Sequence, residues 1–588
     1  MHVPNVSRLL RTMRHLRSSQ VLWRARYALE RRLPIAWTAP PADRDPEDAF
    51  AQNNIPRLRP SFPGVPLFHR AGPVGAKAVE ALTRGDFEHL HQIVRLSRRD
   101  PDWRNAGVEV GRLWTVTLHY HGWIYDLAEA AGNGHSEAWP LLKDYWRHWL
   151  SEAPLRKLGS GHLAWNSFAI ATRIGWWIRA LQVLKAEHWA DDPDLLRKIL
   201  RSLVRQADHL EHHLEWDLRG NHLLRDAVGL AWAGRFFGGR QGDRWLEAAT
   251  ELAVEQAREQ VLADGGHFER SPMYHIHVME DFVSLACLLV DSDAVRMIHD
   301  ACGSMADYLR WVLAPDGQFP LFNDAAWHAV CEPEAMLEIV RRMGEPFPVL
   351  PPRGLRHLTS TGIVAWQGNP WTVCWDVGPV GPQYQPGHAH ADTLTLDAWC
   401  GGRSLLVDPG TFSYDRDDRR RYDRATSSHN TVCIDDTDSS EVWDIFRVGQ
   451  RAQPRNVMAQ TTDTGFTGSA GHDGYDLLPG QPQHSRSVTV DGRALQIVDT
   501  VTGRQLHSLA GGWLLHPDWT WAPTADGWRL EAAGSAVEVT ITSETPLDLR
   551  VEQRPWHPEY GLEVKTNRLT WQCRAELPVR VMTRFVVG

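Results

Sequence analysis

A change of hydrophobic period near Phe347-Pro348-Val349-Leu350-Pro351-Pro352 constrains this chain more than any other feature. From about residue 76 to that point apolar residues recur every three to four positions. Segments such as HLAWNSFAIATRIGWWIRALQVL (162–184), DLLRKILRSLVRQADHLEHHL (194–214) and NHLLRDAVGLAWAGRFF (221–237) each predict a helix with one buried face. Short turns with Gly or Asp join them, which predicts stacked helical hairpins, either a solenoid or a closed ring. Beyond the proline cluster the period becomes two, in GIVAW, WTVCWDVG, LTLDAW, HNTVCID, SRSVTVDG and AVEVTIT. That pattern predicts an all-β sandwich. The expected division is a basic arm with a Pro-rich connector at 1–75, a helical domain at 76–347 and a β-domain at 353–588. The fold class is therefore multidomain α+β.

The bulk numbers narrow the function classes. The chain has 588 residues, 43% hydrophobic and 23% charged, enough for several cores and ordinary for a globular protein. No apolar run reaches the length of a membrane span. Seven scattered cysteines with no CxxC argue against a disulfide framework or a cysteine metal site. A net charge of −9 gives no general attraction to polyanions, so nucleic acid is not an expected partner and an acidic polymer would need a local basic cleft. Residues 8–26 carry Arg8, Arg11, Arg14, Arg17, Arg24 and Arg26 with no acid before Glu30. This segment is expected to be a helical arm packed on the body, with weak contact to an anionic membrane surface or polymer as the alternative. It lacks the apolar core of a secretory signal. The expected compartment is cytoplasmic, with periplasmic or secreted placement by a non-standard route as the alternative.

Four stretches offer chemistry. In QPGHAHADTL, His388 and His390 precede an alternating strand, and a strand that included them would put both on one face. The return strand after Gly401-Gly402 ends at Asp408, and His429 lies in SSHNTV. Two imidazoles and a carboxylate at strand ends can hold zinc; a solvated His-x-His is the plainer alternative. Gly220-Asn221-His222 opens a helix, where Asn221 is either a helix cap or part of an anion-binding N-terminus. In DGGHFERSPMYH, Tyr274 falls at a loop–helix junction, with Arg270 close enough to lower its pKa or to hold an anion. Trp165 and Arg173 lie in AWNSFAIATRIGWW, as core residues or as lining of a substrate subsite.

GHAHADTL, the following VDPGT and the SSHNTV together resemble the heparinase II/III family of polysaccharide lyases, which includes alginate-type lyases. The resemblance selects an incomplete (α/α) toroid followed by an antiparallel β-sandwich. It implies that Asn221 and His222 neutralise a uronate carboxylate, that Tyr274 works on the proton, and that His388 is the catalytic histidine. It further implies that His390, Asp408 and His429 bind a structural zinc. Asp324 and the pair His484/Arg486 also fit family patterns and are expected to shape the cleft. The implied substrate is an acidic polysaccharide, either glycosaminoglycan-like or a bacterial exopolysaccharide, cleaved by β-elimination. In that reaction a base removes the C5 proton and an acid protonates the leaving O4. Tyr274 would donate to O4 and, for one sugar configuration, also take the C5 proton; His388 would take it on the opposite face. A glycoside hydrolase would need two flanking carboxylates, for which Asp324 and Glu269 are candidates. A non-catalytic exopolysaccharide-binding or assembly protein is a third possibility.

Overall fold

The computed structural model describes residues 6–32, 64–68, 74–159, 161–344, 347–348 and 351–588. Most of the connector expected at 35–75 lies outside these residues. The chain divides into two compact units: Arg17–Arg258 with Glu280–Asp300, and Met1–Leu16 with Glu259–Met279 and Ala301–Gly588. The change of secondary structure falls near 347–353, while the division by compactness groups residues 259–279 and 301–347 with the strands.

In the first unit the helices are fixed by their caps and by close approach. The helix Ser167–Val183 starts on Asn166, whose side chain accepts the Ala169 N–H. The helix Pro193–His212 starts on Asp192, which accepts the Leu195 N–H with proline at the first helical position. The helix Gly220–Phe237 packs on Ser167–Val183. At Gly229 a Cβ would stand 2.6 Å from the Ala171 Cα, so any larger residue would force these helices apart. A core of aromatic rings follows, with Trp146, Trp149 and Trp177 fully buried.

Among the described residues the second unit carries three large antiparallel sheets and a two-stranded one of 442–443 with 447–448. An eight-stranded sheet runs in the order 454–461, 465–472, 483–491, 494–502, 579–587, 535–543, 528–532, 520–523. A four-stranded sheet runs 548–559, 562–576, 506–514, 432–434, and a five-stranded one runs 354–358, 363–367, 371–376, 396–400, 403–406. Alternate residues of these strands share one core, with Trp371, Trp375, Trp513, Trp571 and Phe585 almost fully buried. The helix Val6–Met13 docks here: Arg8 and Arg11 bind the Glu441 carboxylate, and the Trp443 indole N–H donates to Thr12 Oγ1. Among the described residues all seven cysteines are free, and no helix is long and apolar enough to cross a membrane.

Candidate active site and metal group

Tyr274 is placed by a tight turn into the helix Pro272–Leu288. Asp264 anchors the turn by accepting the Ser360 and Thr361 N–H groups, each at 2.8 Å. Arg270 takes a left-handed backbone conformation (φ 61°). Ser271 then caps the helix, accepting the Tyr274 N–H at 3.2 Å and donating to the Asp324 carbonyl at 2.6 Å. Arg270 does not partner Tyr274. Its three guanidinium nitrogens donate to the carbonyls of Thr361, Phe268 and Ser360. It holds the turn together, and neither lowers the tyrosine pKa nor presents a charge to a substrate in this structure. Burial, with Tyr560 and Asp324 nearby, pushes the Tyr274 phenol well above its usual range, so it keeps its proton.

The Tyr274 ring stacks on His388 with centroids 3.9 Å apart. Its hydroxyl lies 2.9 Å from that of Tyr414, which lies 2.6 Å from that of Tyr560. His388 Nδ1 is 2.9 Å from one oxygen of Asp324, and His390 Nε2 is 2.8 Å from the other. The buried guanidinium of Arg420 grips both oxygens of the same carboxylate. Burial opposes the charge on Asp324, yet Arg420 and the two histidines hold its pKa well below the usual carboxylate range. An ionised carboxylate only accepts hydrogen bonds. His388 therefore donates through Nδ1, and its Nε2 lies 3.7 Å from Glu269 Oε2. The same logic puts the hydrogen of His390 on Nε2 and its lone pair on Nδ1.

The expected strand geometry of the two histidines does not hold. The strand begins only at Leu396, and Leu394 before it has φ 70°. Both residues lie in the preceding loop, and the Asp324 carboxylate draws them together instead of the pleat. Nor are they solvated: His388 is 6% exposed and His390 fully buried.

His390, Asp408 and His429 form a buried group whose candidate ligand atoms all lie within 4.8 Å of one another. His429 Nδ1 is 2.8 Å from one oxygen of Asp408. The atoms left over, His390 Nδ1, His429 Nε2 and Asp408 Oδ1, are buried without a hydrogen-bond partner. Orphaned lone pairs of this kind are what a bound cation would satisfy. Burial lowers His390 to about 3 and His429 to about 4, so both imidazoles are neutral, as metal ligands must be. Arg568 and Arg486 clamp this loop from behind, donating to the carbonyls of His429 and Asn430 respectively. Arg486 also pairs with Asp499, which His484 contacts at 2.8 Å. Both His484 and Arg486 are almost fully buried, so they brace the loop of His429 from within the core.

The other residues expected at the site belong to the helical unit. The helix Gly220–Phe237 begins at Gly220 with Arg219 as its cap, so Asn221 sits inside the first turn and is not the cap. Asn221 is buried, and His222 Nδ1 lies 3.1 Å from Glu215 Oε2. The Glu215 N–H donates to Asp226 at 2.7 Å. Burial, then the charge of Glu215, pushes Asp226 well above the usual carboxylate range. Arg173 has no exposed surface; it bonds Gln206 and the His119 carbonyl and lies over the Trp149 and Trp165 rings. Trp165 is 6% exposed and donates to the Ala153 carbonyl. Both are packed as core residues.

Two family models cover this chain: the heparinase II/III N-terminus over residues 74–349 and the heparinase II/III-like C-terminal domain over residues 350–583. The chain belongs to the heparinase II/III family. It is 24% identical over 460 residues to a heparin-sulfate lyase of Bacteroides stercoris, covering 70% of this chain and 65% of that one. It is 30% identical over 215 residues to the FtsZ-localized protein C of Caulobacter vibrioides, covering 36% and 35%. Among solved structures, a heparinase III aligns with TM-score 0.69 at 17% identity over 80% of this chain and 76% of its own. The heparan sulfate lyase HepC of Pedobacter heparinus aligns with TM-score 0.56 at 18% identity over 92% and 87%. These likenesses establish the fold as an incomplete (α/α) toroid followed by an antiparallel β-sandwich.

Proposed function

We propose that this protein is a polysaccharide lyase that cleaves a uronic-acid polymer by β-elimination. The observation that carries the reading is the stacked Tyr274–His388 pair, a phenol that burial keeps protonated beside an imidazole anchored through Nδ1 on Asp324. His388 Nε2 takes the C5 proton and the electrons form the C4–C5 double bond. The C4–O4 bond breaks, and Tyr274 gives its proton to O4. Tyr414 donates a hydrogen bond to the resulting phenolate, with Tyr560 behind it. Asn221 and His222 are assigned to the uronate carboxylate, whose neutralisation lowers the cost of the charge that develops at C5. The heparin-sulfate lyases among the relatives support an acidic, glycosaminoglycan-like substrate.

The hydrolase alternative loses its best acid, because both oxygens of Asp324 are committed to Arg420, His388 and His390. The metal is assigned as zinc on His390, Asp408 and His429, whose nitrogen and oxygen donors suit it. When bound, it cross-links the loops that present His388. Metal analysis of the purified protein checks this: about one zinc per chain is expected, and none in His429→Ala.

The reaction class is tested by incubating the protein with a panel of uronate polymers and following ultraviolet absorbance and product mass. Unsaturated products with no added water are expected. New reducing ends without absorbance would make it a hydrolase, and no cleavage of any polymer would leave a binding role.

A further inference from the structure

The helix Ser18–Arg32 turns Gln20 and Tyr27 inward and apolar side chains outward, the reverse of an ordinary surface helix. Gln20 and Tyr27 donate to the carbonyls of Asp217 and Leu214, while Leu22 is 71% and Leu29 55% exposed. Single exposed apolar residues are common on protein surfaces. Here Val21, Leu22 and Leu29 recur at helical spacing along one exposed face. Arg17 and Arg24 are exposed beside them. Residues 1–32 hold eight arginines against one glutamate in a chain of net charge −9.

We propose that this helix docks on an anionic lipid surface, with Val21, Leu22 and Leu29 entering the headgroup boundary and Arg17 and Arg24 pairing with lipid phosphates. The mixture selects the partner. A soluble acidic polymer would satisfy the arginines and leave the leucines in water, whereas a charged bilayer takes both. The proposal does not rest on the lyase reading.

The test is sedimentation of the full chain with phosphatidylcholine vesicles, with and without phosphatidylglycerol. Pelleting is expected only with phosphatidylglycerol and is expected to weaken with salt. The double variant Leu22→Ser/Leu29→Ser should reduce partitioning by about tenfold or more, and Arg17→Ser/Arg24→Ser by roughly fivefold per arginine. Both variants should keep the wild-type circular dichroism spectrum and denaturation midpoint, which shows that they fold. Failure to pellet with anionic vesicles overturns the proposal. So does equal pelleting with neutral vesicles, or pelleting that the leucine variant leaves unchanged.

Discussion

Asp324 and Asp226 are both fully buried aspartates, yet their surroundings push their pKa values in opposite directions. Asp324 faces a guanidinium and two imidazoles and stays ionised. Asp226 faces the main chain and acid of Glu215 and is driven toward its neutral form by burial and that neighbouring charge. A buried carboxyl follows its partner, not its depth. At Asp324 a fixed negative charge orients His388 and His390 together, so the candidate base and the candidate metal ligand share one anchor. At the Asn221–His222 turn no such fixed charge is supplied by Asp226.

The largest expected effect breaks this contrast directly. Asp324→Asn removes a charge that Arg420 and both histidines require. It should cost about 3–5 kcal/mol of stability and lower kcat by roughly 10²–10⁴-fold. Asp226→Asn removes a charge that burial and Glu215 already oppose and should cost no more than about 1 kcal/mol at neutral pH. Denaturant midpoints measured side by side decide the matter, and equal losses would remove the distinction. The pH dependence should separate them too. The raised pKa of Asp226 contributes stability that is present below its unfolded value near pH 3.8 and lost as pH rises above it.

A smaller loss is expected at the other region. His222→Ala should lower kcat/KM by about 10²-fold, the scale of one lost donor to a developing anion. Steady-state kinetics on a cleaved polymer would show it, and an unchanged kcat/KM would remove His222 from the reaction. The smallest effect concerns the N-terminal helix. Burial alone would raise Glu441, but hydrogen bonds from Arg11 and Arg8 hold it down to about 2. The stability this gives is present above its usual value near 4.5 and lost as pH falls toward 2. Hydrogen exchange over Val6–Met13 should accelerate across that window while the strand core does not.

What the sequence disclosed follows from how local each signal is. The helical and alternating periods need only neighbouring residues, so the helices and strands were legible. His390, Asp408 and His429 sit in compact motifs, and the structure brings them together. Tyr414 and Tyr560 were missed because they meet Tyr274 only through pairings 140 or more residues apart in sequence. Arg420 was missed within DDRRRYDR, yet a signal was present. Arg420 and Arg424 are four residues apart on the short helix Asp418–Arg424 and both are buried, while Arg421 is 70% exposed. The role of Asp324 as a bridge was not legible, because its partners come from three separate segments.

Tyr274 is the residue on which the proposed proton transfer depends most directly. With Tyr274→Phe beside wild type on the same uronate polymer, the initial rate of unsaturated-product absorbance should fall by about 10²–10⁴-fold, with the denaturation midpoint of the protein little changed. A variant that eliminates at the wild-type rate would contradict the proposed proton-transfer centre.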